Sequence, residues 1–500
     1  MSQTPRADLK PNTPDYENIP LVKATGFREY DARWVLEKEI NLLGIQALGL
    51  GLGTYIHEIG QRPRVVVGHD FRSYSLSVKQ ALTLGLIQAG CEVLDIGLAL
   101  SPMAYFAQFA LDAPCVAMVT ASHNENGWTG VKMGAKAPLT FGPDEIGRLK
   151  EIVLGGQGVE RDGGKLVRIE NFRDHYIQEV AGKVKLSRPI KVIAACGNGT
   201  AGAFAPDALR AMGAEVVEMD CELDWTFPKY NPNPEDHEML VEMSKAVKAQ
   251  GADVCLGFDG DGDRCGVVDD TGEEIFADKI GLMLARDLSA LHPNATFVVD
   301  VKSTGLYKTD EVLKANGAET VYWKTGHSYI KRKTAELGAL AGFEKSGHFF
   351  FNAPIGRGYD DGIVAAAAIL QMLDRNPGKK LSELRKALPV AHTSLTMSPH
   401  CPDEQKYEVL ERIVAEYERL GAEGGSILGR RIVEVITVNG ARVHLEDGSW
   451  VLVRASSNKP ELVVVVESLR SEDDMRALFR EEIKPRLARH PEIGAFNQEI

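Results

Sequence analysis

The apolar positions of this chain repeat on a large scale. Three Val/Ile-rich runs, Val65-Val66-Val67-Gly68, Val192-Ile193-Ala194-Ala195 and Phe297-Val298-Val299-Asp300, each precede a helix-compatible stretch. About 20–25 residues on, a second apolar segment follows Gly90-Cys91-Glu92-Val93, Gly213-Ala214-Glu215-Val216 and Gly317-Ala318-Glu319-Thr320-Val321. Continuous rather than alternating apolar runs are what strands buried on both faces require, and the helix between them makes each copy a βαβ unit. The pattern predicts three tandem α/β domains with mixed sheets, over 21–168, 169–273 and 274–387. Beyond about Leu388 the period changes. Helical spacing from Glu404 to Leu420 leads into strands predicted at Ile432–Val438, Arg442–Leu445, Trp450–Arg454 and Leu462–Glu467. Asn439-Gly440 and Asp447-Gly448 are strong hairpin signals, so 388–500 reads as an antiparallel α+β domain closed by a helical Ser471 to His490.

Residues 1–20 are polar, proline-rich and partly acidic, without the basic and apolar regions of a signal peptide, and read as a disordered lead-in. The longest apolar stretch, Leu42 to Ile56, is interrupted by Gln46 and glycines and falls short of the ~20 residues of a membrane span. A net charge of −13 argues against nucleic acid or an anionic membrane as partner, because both need clustered Lys and Arg. Seven cysteines without a C-x-x-C pair fit neither a disulfide framework nor a zinc site. Together these features imply a cytoplasmic protein in a reducing compartment.

Four segments carry chemistry. In Phe258-Asp259-Gly260-Asp261-Gly262-Asp263-Arg264, alternating carboxylates separated by glycines let a sharp loop aim three hard oxygens at one cation, as Mg²⁺ requires. A calcium EF-hand does not fit, since Arg264 stands at its sixth position and Asp270 at its twelfth. In Val119-Thr120-Ala121-Ser122-His123-Asn124, an apolar strand delivers a serine beside His123, with Lys132 downstream. Alone, that serine reads equally as a turn residue or helix N-cap. No G-x-S-x-G elbow supports a hydrolase triad. In the third segment Glu344, Ser346 and His348 alternate, so that an extended loop would present an acceptor, a hydroxyl and a titratable ring on one face, groups that suit sugar hydroxyls. Asp360-Asp361-Gly362 follows. The fourth, Arg454-Ala455-Ser456-Ser457-Asn458-Lys459-Pro460, combines a guanidinium, hydroxyls and an amide in a turn between strands, either a phosphate cradle or a polar hairpin loop.

In this order, over nearly the whole chain, the four segments resemble the α-D-phosphohexomutases, most closely the bacterial phosphomannomutase/phosphoglucomutase branch. Further matches are Phe27 to Arg33, Cys196-Gly197-Asn198-Gly199, Asp300-Val301-Lys302, and Thr325-Gly326-His327-Ser328 with Lys331. The resemblance implies four domains around a central cleft, in chain order a phosphoserine, a metal-binding, a sugar-binding and a phosphate-binding domain. It implies that Ser122 carries the phosphoryl group and holds one Mg²⁺ with Asp259, Asp261 and Asp263. Lys132 and His123 would sit beside the transferring group, Arg264 near the metal loop. Tyr30, Arg33, Lys302 and His327 would line the sugar site, Glu344 and Ser346 would bind sugar hydroxyls, and His348 would serve as general acid or base. Arg454, Ser456, Ser457 and Asn458 would hold the phosphate that is not reacting.

Glu125 stands where the family often has Pro, Lys345 where it has Met or Gln, and Asn458 and Lys459 where it has Thr and often Thr or Glu. None removes a group the chemistry needs. The implied reaction interconverts hexose 6-phosphate and hexose 1-phosphate of mannose and glucose through a bound 1,6-bisphosphate, which also serves as activator, in a monomer or weak dimer. A phosphoglucosamine mutase of the same fold, a metal-dependent sugar phosphatase and a sugar-phosphate-binding protein are the alternatives.

Overall fold

The structure is a computed structural model that describes residues 4–456 and 459–500. It comprises two compact units, one built from the chain up to Ala277 together with Ser346–Ser382, the other from Asp278–Lys345 and Glu383–Ile500.

The first unit contains two sheets. Strands β1 (Ala32–Val35), β2 (Arg64–His69), β3 (Glu92–Leu98), β4 (Cys115–Val119), β5 (Trp128–Gly134) and β6 (Lys165–Arg168) form a sheet in the order β1-β5-β4-β2-β3-β6. Strands β7 (Lys191–Ala195), β8 (Glu215–Met219), β9 (Val254–Phe258), β10 (Cys265–Asp269) and β11 (Glu274–Ile275) form the second, ordered β11-β10-β9-β7-β8. Both are mixed. The parallel pairs β2/β3 and β7/β8 are the first two sequence repeats, and in each sheet a later parallel strand turns back into an antiparallel neighbour, β4 into β5 and β9 into β10. Val65, Val67, Cys115, Ala117 and Val119 are buried in one core, Ile193, Ala195 and Cys255 in the other.

The apolar stretch around Leu42 is one helix, Leu42–Glu58, started by Asn41, whose Oδ1 accepts from Gly44 N at 2.8 Å. Gly49 in it and Gly85 in the helix Ser75–Gln88 let the two helices approach closely. A Cβ on Gly49 would lie 2.2 Å from Leu82 O, and one on Gly85 would lie 2.0 Å from Gln46 O. Among the described residues no helix is long and apolar enough to cross a membrane. All seven cysteines are free and buried.

In the second unit, β12 (Thr296–Asp300), β13 (Glu319–Trp323) and β14 (Ala341–Phe343) pair in parallel around β12, which realises the third repeat. Its C-terminal portion carries an antiparallel sheet whose central strands are Arg430–Ile436, Ala441–Leu445, Trp450–Ala455 and Leu462–Ser468. Short edge strands His392–Thr393 and Ser426–Ile427, too brief for a periodic signal, extend it to six. The helix Lys406–Ala422 lies against it through Val409, Ile413 and Tyr417.

One expectation needs correction. Residues 4–20 are not a disordered lead-in: Thr13 caps a helix over Pro14–Asn18, Arg6 N donates to Pro20 O at 2.9 Å, and Leu9 is buried. Backbone pairing and one apolar anchor order a segment whose composition alone suggests none. The stretch Ser346–Ser382, within the predicted 274–387, belongs to the first compact unit. Its helix Gly362–Arg375 buries Ile363, Ile369 and Leu370 in the first unit, where Asp361 Oδ2 accepts from Tyr176 Oη at 2.9 Å.

Candidate active site

The loops that carry Ser122 and the three aspartates occupy equivalent places. Each links a parallel strand, β4 or β9, to the antiparallel strand that follows it, at the carboxyl end of the parallel strands, where open α/β sheets bind ligands. Ser122 itself has φ +52°, a left-handed conformation that costs a non-glycine residue of order 1–2 kcal/mol. Both glycines of the acidic loop are required by space. A Cβ on Gly260 would lie 2.6 Å from Ser122 O, and one on Gly262, itself at φ +73°, would lie 2.8 Å from Leu100 Cδ2.

Asp259, Asp261 and Asp263 are all fully buried, and one oxygen from each falls within 4.8 Å of the others. Ser122 Oγ donates to Asp259 Oδ2 at 3.1 Å and lies 3.3 Å from His123 Nδ1. Lys132 Nζ bonds Asp261 Oδ2 at 2.7 Å and also Asp263 Oδ2. Ser101 Oγ donates to Asp261 Oδ2 at 2.6 Å. Burial and the charge of Asp263 push Asp261 up, but Lys132 and Ser101 outweigh them and hold it below the usual carboxylate range. Asp263 is held well below it, because Lys132, His348 and Arg264 overcome its burial. Asp259 is driven well above that range by burial and by its two sister carboxylates. The lysine thus balances part of the cluster. Asp261 Oδ1 and Asp263 Oδ1 are buried with no hydrogen-bond partner, which a hard cation would supply, so the donor set fits a divalent metal ion.

Around this cluster the first unit gathers further groups. His123 is held well below its ordinary pKa, first by the charge of Arg264, then by burial and by Arg33, and is a neutral imidazole at pH 7. Arg264 lies 3.1 Å from Glu235, and its Nε donates to His348 Nε2 at 3.4 Å. His348 Nδ1 is 3.1 Å from Ser346 Oγ, while its Nε2 is 3.5 Å from Asp263 Oδ1. Arg33, on β1, donates to Asp31 and, through Nη1, to Asn124 Oδ1 at 2.7 Å. Tyr30 lies in the bend that enters that strand.

In the second unit, Asp300 at the end of β12 accepts from Ser303 Oγ at 2.6 Å and Thr325 Oγ1 at 3.2 Å, with Lys302 Nζ 4.0 Å away. Gly326, at φ +128°, precedes the helix His327–Glu336 and donates its N–H to Glu344 Oε1 at 2.7 Å. The loop after β12 is held from the C-terminal sheet. Arg442 Nη1 donates to Val301 O at 2.5 Å and Ser303 O at 2.7 Å, and the guanidinium lies between the rings of Tyr322 and Trp450. Glu467 accepts from Gly305 N at 2.7 Å and Trp450 Nε1 at 2.8 Å, and against its burial the charge of Lys279, then the hydrogen bonds from Thr393, Gly305 and Trp450, lower its pKa to about 2. Arg454 ends its strand half-buried and donates to Ala455 O at 3.0 Å. Ser456 is buried, and its N–H donates to Glu461 O at 3.0 Å. Ser457 and Asn458 lie outside the described residues.

Comparison with known proteins now decides the family. Four successive domains of phosphoglucomutase/phosphomannomutase match residues 24–157, 174–272, 276–391 and 400–484, the first three described as alpha/beta/alpha domains and the fourth as the C-terminal domain. A phosphomannomutase/phosphoglucomutase from Pseudomonas putida is 34% identical over 442 residues, 88% of this chain and 91% of its own. The chain belongs to the phosphoglucomutase/phosphomannomutase family. A phosphoglucomutase from Neisseria gonorrhoeae is 33% identical over 88% of this chain and 92% of its own. The crystal structure of a phosphoglucomutase/phosphomannomutase family protein from Burkholderia thailandensis superposes with a TM-score of 0.85 at 29% identity, covering 95% of this chain and 99% of that one.

For this family member, the first unit brings together Ser122, His123, Lys132, the three aspartates, Arg264, Ser346, His348 and Arg33, residues up to 315 positions apart that sequence spacing could not join. The alternation of Glu344, Ser346 and His348 does not persist as an extended face, because residues 345–346 form a turn after β14. Sequence reading missed Ser101, Asp70 and Arg72. Each lies just beyond the carboxyl end of a parallel strand of the first sheet, β3 or β2, a positional signal that was available without coordinates.

Proposed function

We propose that this chain is a phosphohexomutase that interconverts the 6- and 1-phosphates of glucose and mannose through a phosphoserine at Ser122 and a bound hexose 1,6-bisphosphate, the latter also its activator. The observation that carries this reading is a serine hydroxyl held beside three buried, cation-ready carboxylates and a buried lysine. Mg²⁺ held by Asp259, Asp261, Asp263 and the phosphoserine supplies charge neutralisation at the transferring group. Lys132 adds a second positive charge there, and the left-handed turn at Ser122 presents Oγ to the substrate. The substrate hydroxyl attacks phosphorus, the bond to Ser122 Oγ breaks, and His348 accepts the hydroxyl proton. His123, neutral, orients Ser122 Oγ without repelling the positive groups around it. Reorientation of the bisphosphate brings its other phosphate to Ser122 and completes the exchange.

Tyr30, Arg33, Lys302 and His327 line the sugar site in this reading, and Glu344 and Ser346 read O3 and O4. Arg454, with Ser456, Ser457 and Asn458, grips the distal phosphate. The phosphoserine, metal, sugar and phosphate loops are assigned to 21–168, 169–273, 274–387 and 388–500 of a cytoplasmic monomer or weak dimer. Mutase turnover is tested by a coupled assay with mannose 1-phosphate, glucose 1-phosphate and glucosamine 1-phosphate, each with trace bisphosphate. Glucose and mannose differ only at C2, which a loop reading O3 and O4 does not sense, so their kcat/KM values should agree within about a thousandfold, or ~4 kcal/mol. Release of free phosphate in step with turnover would replace the mutase with a phosphatase.

Arg454→Ala removes a contact made equally in ground and transition states, so it should raise KM by roughly one to two decades with kcat little changed. Loss of kcat at constant KM would move Arg454 into the chemistry.

A further inference from the structure

The loop from Thr120 to Trp128 is gripped at both ends by alternate side chains of a single segment, Asp70, Arg72 and Tyr74, which follows β2. We propose that these three residues are positioning residues that hold Ser122 in its strained, attack-ready conformation, an inference that rests on the mutase reading above. Arg72 Nη2 donates to Ser122 O at 2.9 Å and to Asn124 O at 2.8 Å, so one guanidinium spans the nucleophile's own peptide and the residue two positions on. Its Nη1 is paired with Asp70 Oδ2, and both side chains are only 1% exposed. Asp70 Oδ2 also accepts from Thr120 Oγ1 at 2.9 Å and Ala121 N at 3.3 Å, while Oδ1 accepts from Ser75 Oγ at 2.5 Å. Thr120 Oγ1 in turn accepts from Ser122 N at 2.8 Å. At the far end of the loop, Tyr74 Oη accepts from Gly127 N at 2.9 Å and donates to Trp128 O at 2.6 Å.

Nothing in the chemistry assigned above uses these groups. A left-handed serine persists only where its surroundings over-determine it, and here Arg72 holds the C=O of Ser122 and Asn124, Asp70 holds the N–H of Ala121, and the N–H of Ser122 donates to Thr120 Oγ1, which Asp70 fixes. The clamp preserves the direction of Oγ through two phosphoryl transfers per cycle, between which the serine gains and loses a dianionic group.

The test uses the full-length protein. Arg72→Met should lower kcat about a hundredfold, the cost of misplacing a reacting group by about 1 Å, with KM within about threefold of wild type. Intact mass, read after incubation with glucose 1,6-bisphosphate, normalises the rate to the fraction carrying phosphate on Ser122, so a loss of folded protein does not mimic the effect. Because Arg72→Met strands a buried carboxylate, at a cost to folding, Asp70→Asn/Arg72→Met, which removes both charges, and Tyr74→Phe, which removes one hydroxyl, are measured beside it. Hydrogen exchange supplies a readout independent of turnover. Amides of 120–128 should exchange at least about tenfold faster in the Arg72 variants, and those of 127–128 in Tyr74→Phe, with the helix Ser75–Gln88 unchanged. Unchanged exchange across 120–128, or kcat within twofold of wild type at equal phosphoserine content, overturns the clamp. An inactive, never phosphorylated wild type instead overturns the mutase reading and leaves the exchange result to decide the clamp.

Discussion

Ser122→Ala abolishes mutase activity, by on the order of 10⁴-fold or more, while the protein stays folded. Loss of a covalent nucleophile costs that range elsewhere because no neighbouring group can take over its bond to the transferring group. Asp259 is the acceptor of the serine hydroxyl, and the backbone of Arg264 still donates to Asp259 Oδ1 at 3.2 Å after the change. Alanine at φ +52° keeps the same modest strain as serine, so the melting temperature should move by no more than a few degrees. Intact-mass spectra after incubation with glucose 1,6-bisphosphate should show one added phosphate on wild type and none on the variant. A wild type that never carries phosphate under turnover would refute the covalent route.

Asp259→Asn separates metal binding from folding. The wild-type cluster concentrates three buried carboxylates against Lys132, and Asp259 is the one without a lysine partner. Burial and the two sister carboxylates disfavour the charged form of Asp259, so a neutral amide in its place costs little, and in chelator the variant should melt at the wild-type temperature or above it. Activity should nevertheless fall by about 10³, the loss that follows deletion of one charge-stabilising group at a reacting centre. Mg²⁺ at a hundred times its dissociation constant stabilises wild type by about 2.7 kcal/mol, seen as a rise in melting temperature that the variant should lack at the same concentration. An equal rise in both proteins, or full activity in the variant, would take Asp259 out of the metal site.

Much of this architecture was legible because its signals are local. The three βαβ repeats appear as continuous apolar runs at a recurrent spacing, and β2/β3, β7/β8 and β12/β13 are those repeats. The hairpins around Asn439-Gly440 and Asp447-Gly448 are readable because turn residues fall between two apolar runs. The acidic loop was recognisable for the same reason, since the glycines that permit its sharp path lie between the aspartates they converge. Residues 4–20 were misjudged because composition carries no information about which surface will receive a segment.

By itself, the sequence determined the element types, the order of the four domains and the two loops that carry Ser122 and the carboxylates, because turn chemistry and hydrophobic period act over a few residues. Only the tertiary structure decided that Lys132 lies against Asp261 and Asp263, that Ser101 donates to Asp261, and that Arg72 spans Ser122 and Asn124. Those pairings join residues 50 to 160 positions apart. Chain connectivity does not encode such distances. The burial that makes three carboxylates and one lysine dependent on each other arises only when two sheets bring their loops into one dry site.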